Sequence, residues 1–290
     1  MPAHADASLH RLASSGSTNA LFRLGGDLLV RLPRRPGGSA AIVKEAEWLP
    51  VVGPSLPVSV PDVLAVFEPD QGYPEHWSVV RWIDGDHPQV VDPDTPVDPR
   101  RESLATDLAS VLLALRGAEV PARATGHPHL QGYRGEPLAS MDADTRSNIA
   151  RCRALDDFGF DLDAAEQVWA DAMALPGVGE RATPHWYHSD LAAENLLVRD
   201  EALTAVLDFG GLSLGDPTVD LIVAWEVLDP PARELLRQQV GVDDATWLRG
   251  RAWALSITLM IWYYWTTMPV RRARSMAVGR NVLADAGYAA

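Results

Sequence analysis

The sequence predicts an α+β protein in which a small β-rich N-terminal part precedes a larger, mainly helical one. Two short apolar runs, Leu21-Phe22-Arg23-Leu24 and Leu28-Leu29-Val30-Arg31-Leu32, flank Gly25-Gly26-Asp27, the pattern of a β-hairpin. Beyond residue 100, apolar residues recur at helical spacing, first at Leu104, Leu108, Val111, Leu112 and Leu115. Between the two regimes, Asp84-Gly85-Asp86-His87-Pro88 and a run with Pro93, Pro96 and Pro99 make the clearest break in composition. The expected division is therefore residues 1–84 and 85–290.

In chain order, Ser14 to Asn19 is small and polar, able to turn backbone N–H groups toward a phosphate through Ser15, Gly16 and Ser17. The hairpin follows, then a helix from about Ser39 to Leu49, stopped by Pro50, Pro54, Pro57 and Pro61. Strands are expected at Val63–Phe67 and Trp77–Ile83. In the second part, helices are expected at Arg101–Gly117, Asp142–Leu155 and Leu162–Leu175, with a loop at Gly126–Pro137. Further helices start at Asp216-Pro217 and cover Pro231–Val240, Asp243–Thr267 and Arg271–Ala286. Ala252–Val270 carries no charge over nineteen residues, but its Ser, Thr and Tyr content and Pro269 read as a buried core helix, not a membrane span.

The 290 residues are 47% hydrophobic and 22% charged, with a formal net charge of -14. That balance argues against nucleic acid and anionic membranes as partners and tolerates a cationic small molecule. The single cysteine, Cys152, rules out an intramolecular disulfide or a cysteine zinc cluster. With no basic flank and apolar run at the start, the cytoplasm is the expected compartment.

The chemistry concentrates in His185 to Gly211. His188-Ser189-Asp190 is followed five residues later by Asn195, and Asp208-Phe209-Gly210 comes eighteen residues after Asp190. Leu196-Leu197-Val198 and Ala205-Val206-Leu207 read as two strands joined by a polar turn, so the three side chains meet at one end of a hairpin. Two oxygen ligands beside a separate carboxylate suit Mg²⁺, which binds through one or two carboxylates plus substrate phosphates. Phosphoryl transfer needs such a set.

HSDLAAENLLV followed by VLDFGGLSLGDPTVDL resembles the aminoglycoside phosphotransferase family, whose members share the bilobal protein-kinase-like fold. The resemblance implies Asp190 as catalytic base, Asn195 and Asp208 as Mg²⁺ ligands, and His188 as structural. Ser189 stands where the family usually has glycine, and Asp216 and Asp220 fit bracing roles. It also implies a nucleotide site for ATP or GTP in the N-terminal lobe. Arg31 takes the position of the family's strand lysine, as in a branch that includes macrolide phosphotransferases, and Glu45, with Glu47 as alternative, matches the helix glutamate. Val80-Arg81-Trp82-Ile83 becomes the hinge, where Val80 and Trp82 offer backbone groups to a purine.

Two competing readings are a metallohydrolase built on His185, His188 and Asp190, and a kinase-like protein that binds without transfer. For the acceptor, Asp156, Asp157, Asp161, Asp163, Glu166 and Asp171, with Glu226, Asp229, Asp243 and Asp244, suggest an acidic lining suited to an aminoglycoside. Trp253, Trp262, Tyr263, Tyr264 and Trp265 suggest instead a larger, less polar pocket for a macrolide or another hydroxylated metabolite.

Overall fold

The computed structural model describes residues 7–12, 18–200 and 202–289. Strands β1 (Leu9–Arg11), β2 (Asn19–Leu24), β3 (Leu28–Pro33), β4 (Val63–Phe67) and β5 (Trp77–Arg81) form one antiparallel sheet in the order β1-β2-β3-β5-β4. Leu24 pairs with Leu28 across the expected hairpin. Gly25 supplies the turn's positive φ of 60°, which a residue with a Cβ adopts at a cost. Ser15, Gly16 and Ser17 lie outside the described residues.

Helix α1 (Ser39–Val52) crosses from the sheet to the rest of the molecule. Glu75 closes its N-terminus, where its two carboxylate oxygens accept from the N–H groups of Gly37 and Ser39, each at 2.8 Å. The helix does not stop at Pro50 but runs to Val52. A proline so near the C-terminus loses one intrahelical bond, and buried Leu49 and Val52 hold the last turn in place. Trp48, fully buried on α1, packs against Trp186 with ring centroids 5.8 Å apart. It thereby ties α1 into the large core rather than the small one of Leu28, Val30 and Val79.

The second part contains α2 (Arg101–Gly117), α3 (Asp142–Cys152), α4 (Leu162–Met173), α5 (Val223–Val227), α6 (Pro230–Val240), α7 (Asp244–Leu259) and α8 (Pro269–Asp285). Acidic N-caps start three of them, since Asp161, Asp229 and Asp243 accept from the backbone of Ala164, Ala232 and Thr246. Two short ribbons complete the part: β6 (His185–Tyr187) pairs with β9 (Ser213–Gly215), and β7 (Leu196–Arg199) with β8 (Ala202–Val206).

Three expectations need correction. The helix expected over Asp243–Thr267 ends at Leu259 and tightens into a 3-10 turn over Met260–Tyr264. Its aromatics serve different neighbours, as Trp262 bonds Asn148 at 2.8 Å and Trp265 stacks on Phe158, so one continuous helical face does not suit them. Pro269 opens α8 at its first turn, where a missing N–H costs nothing, instead of breaking a helix. The chain after Asp216 first forms a 3-10 helix, Pro217–Ile222, before α5. Among the described residues, no helix is long and apolar enough to cross a membrane.

Cys152 is fully buried, its Sγ directed at the Leu259 carbonyl at 3.3 Å. Burial pushes its thiol up to about 12. The thiolate is the reactive form, so the native protein is expected to resist a thiol reagent at pH 8. Denatured protein should release one equivalent in the same assay, and fast labelling of the native state would contradict the packing.

Candidate active site

The β7–β8 ribbon brings the motif together. Leu196 pairs with Val206, and the Leu207 N–H donates to the Asn195 carbonyl at 2.8 Å, so the residues just outside each strand end lie side by side. Asn195 Nδ2 donates to the Asp190 backbone carbonyl at 2.8 Å and lies 3.4 Å from Asp190 Oδ2. Its Oδ1 is the atom left for a cation. Asp190, Asn195 and Asp208 line the same cavity, of about 970 Å³, together with Arg31, Val80, Trp82 and Arg134.

His188 is fully buried and explains how the loop keeps its shape. The Asp190 N–H donates to His188 Nδ1 at 3.3 Å, which makes Nε2 the protonated nitrogen that donates to the Leu207 carbonyl at 2.9 Å. The ring also meets Phe209 edge-on at 4.8 Å. One histidine thus links the segment of Asp190 to the segment of Asp208. Asp220 accepts from the N–H groups of His188 and Ser189, at 2.6 and 2.8 Å. His185 bonds the Arg116 carbonyl at 2.8 Å. No cluster of three or more His, Cys, Asp or Glu able to hold a metal occurs among the described residues, so the metallohydrolase reading has no ligand set there.

Ser189 and Asp208 both have left-handed backbones, with φ of 77° and 57°. At Ser189 this gives the glycine of the usual motif a physical reason, since a Cβ there costs roughly 1–2 kcal/mol. Ser189→Gly is therefore expected to stabilise the protein by up to about 1 kcal/mol, the rest being lost to the greater freedom of unfolded glycine. Urea unfolding would show a raised midpoint at unchanged slope; a lowered midpoint would mean that the Ser189 side chain is needed for packing.

Charge is arranged around Asp208. Arg31, on β3, holds Glu45 of α1 with both terminal nitrogens and donates from Nε to Ser78 Oγ at 3.1 Å. Both partners are buried, at 6% and 1% exposure. Of the two candidate glutamates Glu45 is thus the partner of Arg31, while Glu47 sits on the surface facing Arg123 at 3.4 Å. The Asp208 carboxylate accepts no hydrogen bond among the described residues. Burial and then the Glu45 carboxylate push its pKa up, against the pull of Arg31. A crowded carboxylate of this kind, beside an amide oxygen, fits a hard divalent cation of the Mg²⁺ class. The only lysine of the chain, Lys44, also lies on α1; burial lowers its pKa while Asp208 opposes the shift.

Asp190 behaves differently. Arg134 Nη1 donates to its Oδ1 at 2.9 Å and also to the Ser189 carbonyl. Burial pushes the Asp190 carboxyl up, but the guanidinium outweighs it and the net shift is downward. In the segment expected to be the hinge, the Trp82 N–H is already taken by the Asp27 carbonyl at 2.8 Å. Trp82 and Ile83 both line the cavity, and the Ile83 N–H has no partner among the described residues.

The acidic lining expected for the acceptor does not form. Asp161 caps α4, Asp163 and Glu166 pair with Arg153, and Asp171 accepts from Gln167. Asp229 and Asp243 cap α6 and α7, and Asp244 pairs with Arg237. Of the ten acidic residues singled out, Glu226 alone reaches the cavity. It is held by Arg274 at 3.3 Å and by the Ala193 N–H at 3.1 Å. Glu194, which also lines the cavity, pairs with Arg271 at 2.9 Å and Arg274 at 3.0 Å. Around them the wall is mainly apolar, with Ala254, Ile257, Met260, Ile261 and Val278, and the small polar Thr258 and Ser275 between them. Of the five C-terminal aromatics only Tyr264 faces the cavity, and Trp253 is core. Nothing in their spacing singles out Arg134, Glu194, Arg271 or Arg274 in the sequence, where they read as ordinary surface charges.

The chain resembles solved structures over nearly its full length. The GDP and kanamycin complex of APH(2")-IIia superposes with a TM-score of 0.66 at 20% identity, covering 96% of this chain and 92% of that one. The streptomycin-ATP-APH(2")-IIa ternary complex gives 0.61 at 16% identity, covering 88% and 85%. The apoenzyme of macrolide 2'-phosphotransferase MphH from Brachybacterium faecium gives 0.62 at 22% identity, covering 97% and 94%. These likenesses confirm the expected kinase-like fold, a sheet-bearing N-terminal part on a helical C-terminal one. No curated protein matches the sequence. The profile of the phosphotransferase enzyme family matches residues 10–253, and the chain belongs to that family.

Proposed function

We propose that this protein moves the γ-phosphoryl group of ATP or GTP to a hydroxyl of a small molecule. One observation carries the reading: Asp190, Asn195 and Asp208 converge on one cavity that also contains the Arg31 side chain. In the proposed mechanism the part up to residue 84 holds the nucleotide. Ile83 and the carbonyls of the hinge meet the base, and Arg31, fixed by Glu45 and Ser78, stands over the phosphates. Asn195 Oδ1 and the Asp208 carboxylate are the ligands for Mg²⁺. When bound, Mg²⁺ neutralises triphosphate charge and aligns the γ-phosphate.

Asp190 accepts the proton of the attacking hydroxyl. Its carboxylate is already ionised, and Arg134 and Asn195 fix which oxygen faces the acceptor. The rest of the acceleration comes from alignment and electrostatic stabilisation of the transferred group. A non-catalytic binding protein would have no use for this orientation of Asp190.

The family resemblance favours an aminoglycoside acceptor, with antibiotic inactivation as the outcome, but the cavity favours the alternative. Polyamine sugars need uncommitted carboxylates, and here Glu194 and Glu226 are held by Arg271 and Arg274 beside a mainly apolar wall. That lining suits a bulkier acceptor of lower positive charge, such as a macrolide or another hydroxylated metabolite. The cytoplasm, where nucleoside triphosphates are available, is the compartment proposed with this activity.

A panel of aminoglycosides, macrolides and neutral polyols, each with ATP and GTP, tests both levels by mass gain of one phosphate on the acceptor. Macrolide-type or neutral acceptors should outperform polycationic ones. The reverse order would overturn the acceptor reading, and no product with any acceptor would count against the transferase reading.

A further inference from the structure

Arg134 lies on the short 3-10 turn Tyr133–Gly135, outside the motifs that identify the family. Its side chain lines the cavity and reaches Asp190 from the side opposite Asn195. The turn is built to hold it there. A Cβ on Gly135 would fall 2.6 Å from the buried Tyr187 ring, so only glycine lets the turn press onto β6. Tyr187 in turn donates to the Gly132 carbonyl at 3.2 Å, and the Asp216 N–H donates to the Gly135 carbonyl at 2.9 Å. Tyr133 Oη accepts from Arg134 Nε at 2.9 Å.

The donors of this guanidinium are unevenly used. Nε serves Tyr133 and Nη1 serves Asp190 and Ser189, whereas Nη2 has no hydrogen bond among the described residues. The other arginines near the site are engaged by carboxylates, Arg31 by Glu45, Arg271 by Glu194, Arg274 by Glu194 and Glu226, while Lys44 lies toward Asp208 on α1. A hydroxyl poised on Asp190 attacks a phosphorus about 3–3.5 Å beyond it. The group in transfer must therefore pass beside whatever else touches Asp190.

We propose that Arg134 is a catalytic residue that donates from Nη2 to the phosphoryl group during transfer, an arginine finger supplied by the chain itself. The inference rests on the phosphotransferase reading given above. In the step concerned, the acceptor O–H gives its proton to Asp190 as its oxygen bonds to the γ-phosphorus. The bond from that phosphorus to the β–γ bridging oxygen breaks, and its electron pair leaves with the nucleoside diphosphate. The equatorial oxygens carry the charge that a guanidinium can neutralise. A donor aimed at charge developing in the transition state contributes to kcat far more than to ground-state binding.

The test compares MgADP and MgGDP with the same diphosphates plus aluminium fluoride, which mimics the phosphoryl group in flight. Binding is measured by calorimetry to wild type, Arg134→Met and Arg134→Lys. Arg134→Met should bind the diphosphates as wild type does and lose about 10²–10³-fold in affinity for the fluoride complex, the size of one lost oxyanion donor. Arg134→Lys should recover part of that loss. Diphosphate and fluoride complexes weakened equally, or neither weakened, would overturn the proposal, since a residue that only shapes the loop has no reason to distinguish them. Wild type that binds neither nucleotide would instead sink the phosphotransferase reading itself.

Discussion

Asp190→Asn is expected to lower kcat by about 10²–10⁴-fold, the usual contribution of a positioned general base, with nucleotide affinity close to wild type. The substitution keeps the size of the side chain. Its backbone bonds, the N–H to His188 Nδ1 and the carbonyl to Asn195 Nδ2, do not depend on the carboxylate. What disappears is the proton acceptor and half of the ion pair with Arg134. Initial rates at saturating nucleotide, with diphosphate binding measured on the same samples, separate the two effects. A variant with near wild-type turnover would remove Asp190 from the chemistry. One that has also lost nucleotide binding would show that Asp190 shapes the loop.

The largest stability effect is expected at Glu45. Its carboxylate is 1% exposed and grips Arg31, itself 6% exposed, through both oxygens. Removing one partner of a buried pair leaves an uncompensated charge and costs about 3–5 kcal/mol. Glu45→Ala should lose about that much in urea unfolding. Glu47→Ala, which breaks only the surface contact with Arg123, should lose between about 0 and 1 kcal/mol. In the double variant Arg31→Met with Glu45→Ala the loss should shrink, because the orphaned cation is gone. Equal losses in both single variants would mean that the buried pair is not what couples α1 to the sheet.

Much of this molecule is legible in its sequence because local signals and packing agree. The helix Arg101–Gly117 has the predicted bounds, and the hairpin turns at Gly25-Gly26-Asp27 as expected, its strands extending outward to Asn19 and Pro33. The five- and eighteen-residue spacings place Asp190, Asn195 and Asp208 together because a two-stranded ribbon has to bring its ends into register. The failures have physical causes too. Acidic residues that cap helices or pair with arginine look the same in sequence as residues that line a pocket, and Asp161, Asp229 and Asp243 proved to be caps. The arginines facing Asp190 come from residue 134 and from α8, more than fifty residues away in each direction, where no spacing rule applies. Lys44, the one lysine among 25 basic residues, lies toward Asp208, a placement that no motif in the sequence signals.

The most direct measurement follows γ-labelled ATP or GTP on chelator-stripped wild-type protein as Mg²⁺ is added back in the presence of a hydroxylated acceptor. The label is expected to appear as a phosphate ester on the acceptor, in proportion to Mg²⁺, with none formed before metal is restored. Label that stays on the nucleotide throughout, or transfer that proceeds equally well without metal, would contradict a site in which Asn195 and Asp208 hold Mg²⁺ while Asp190 takes the proton.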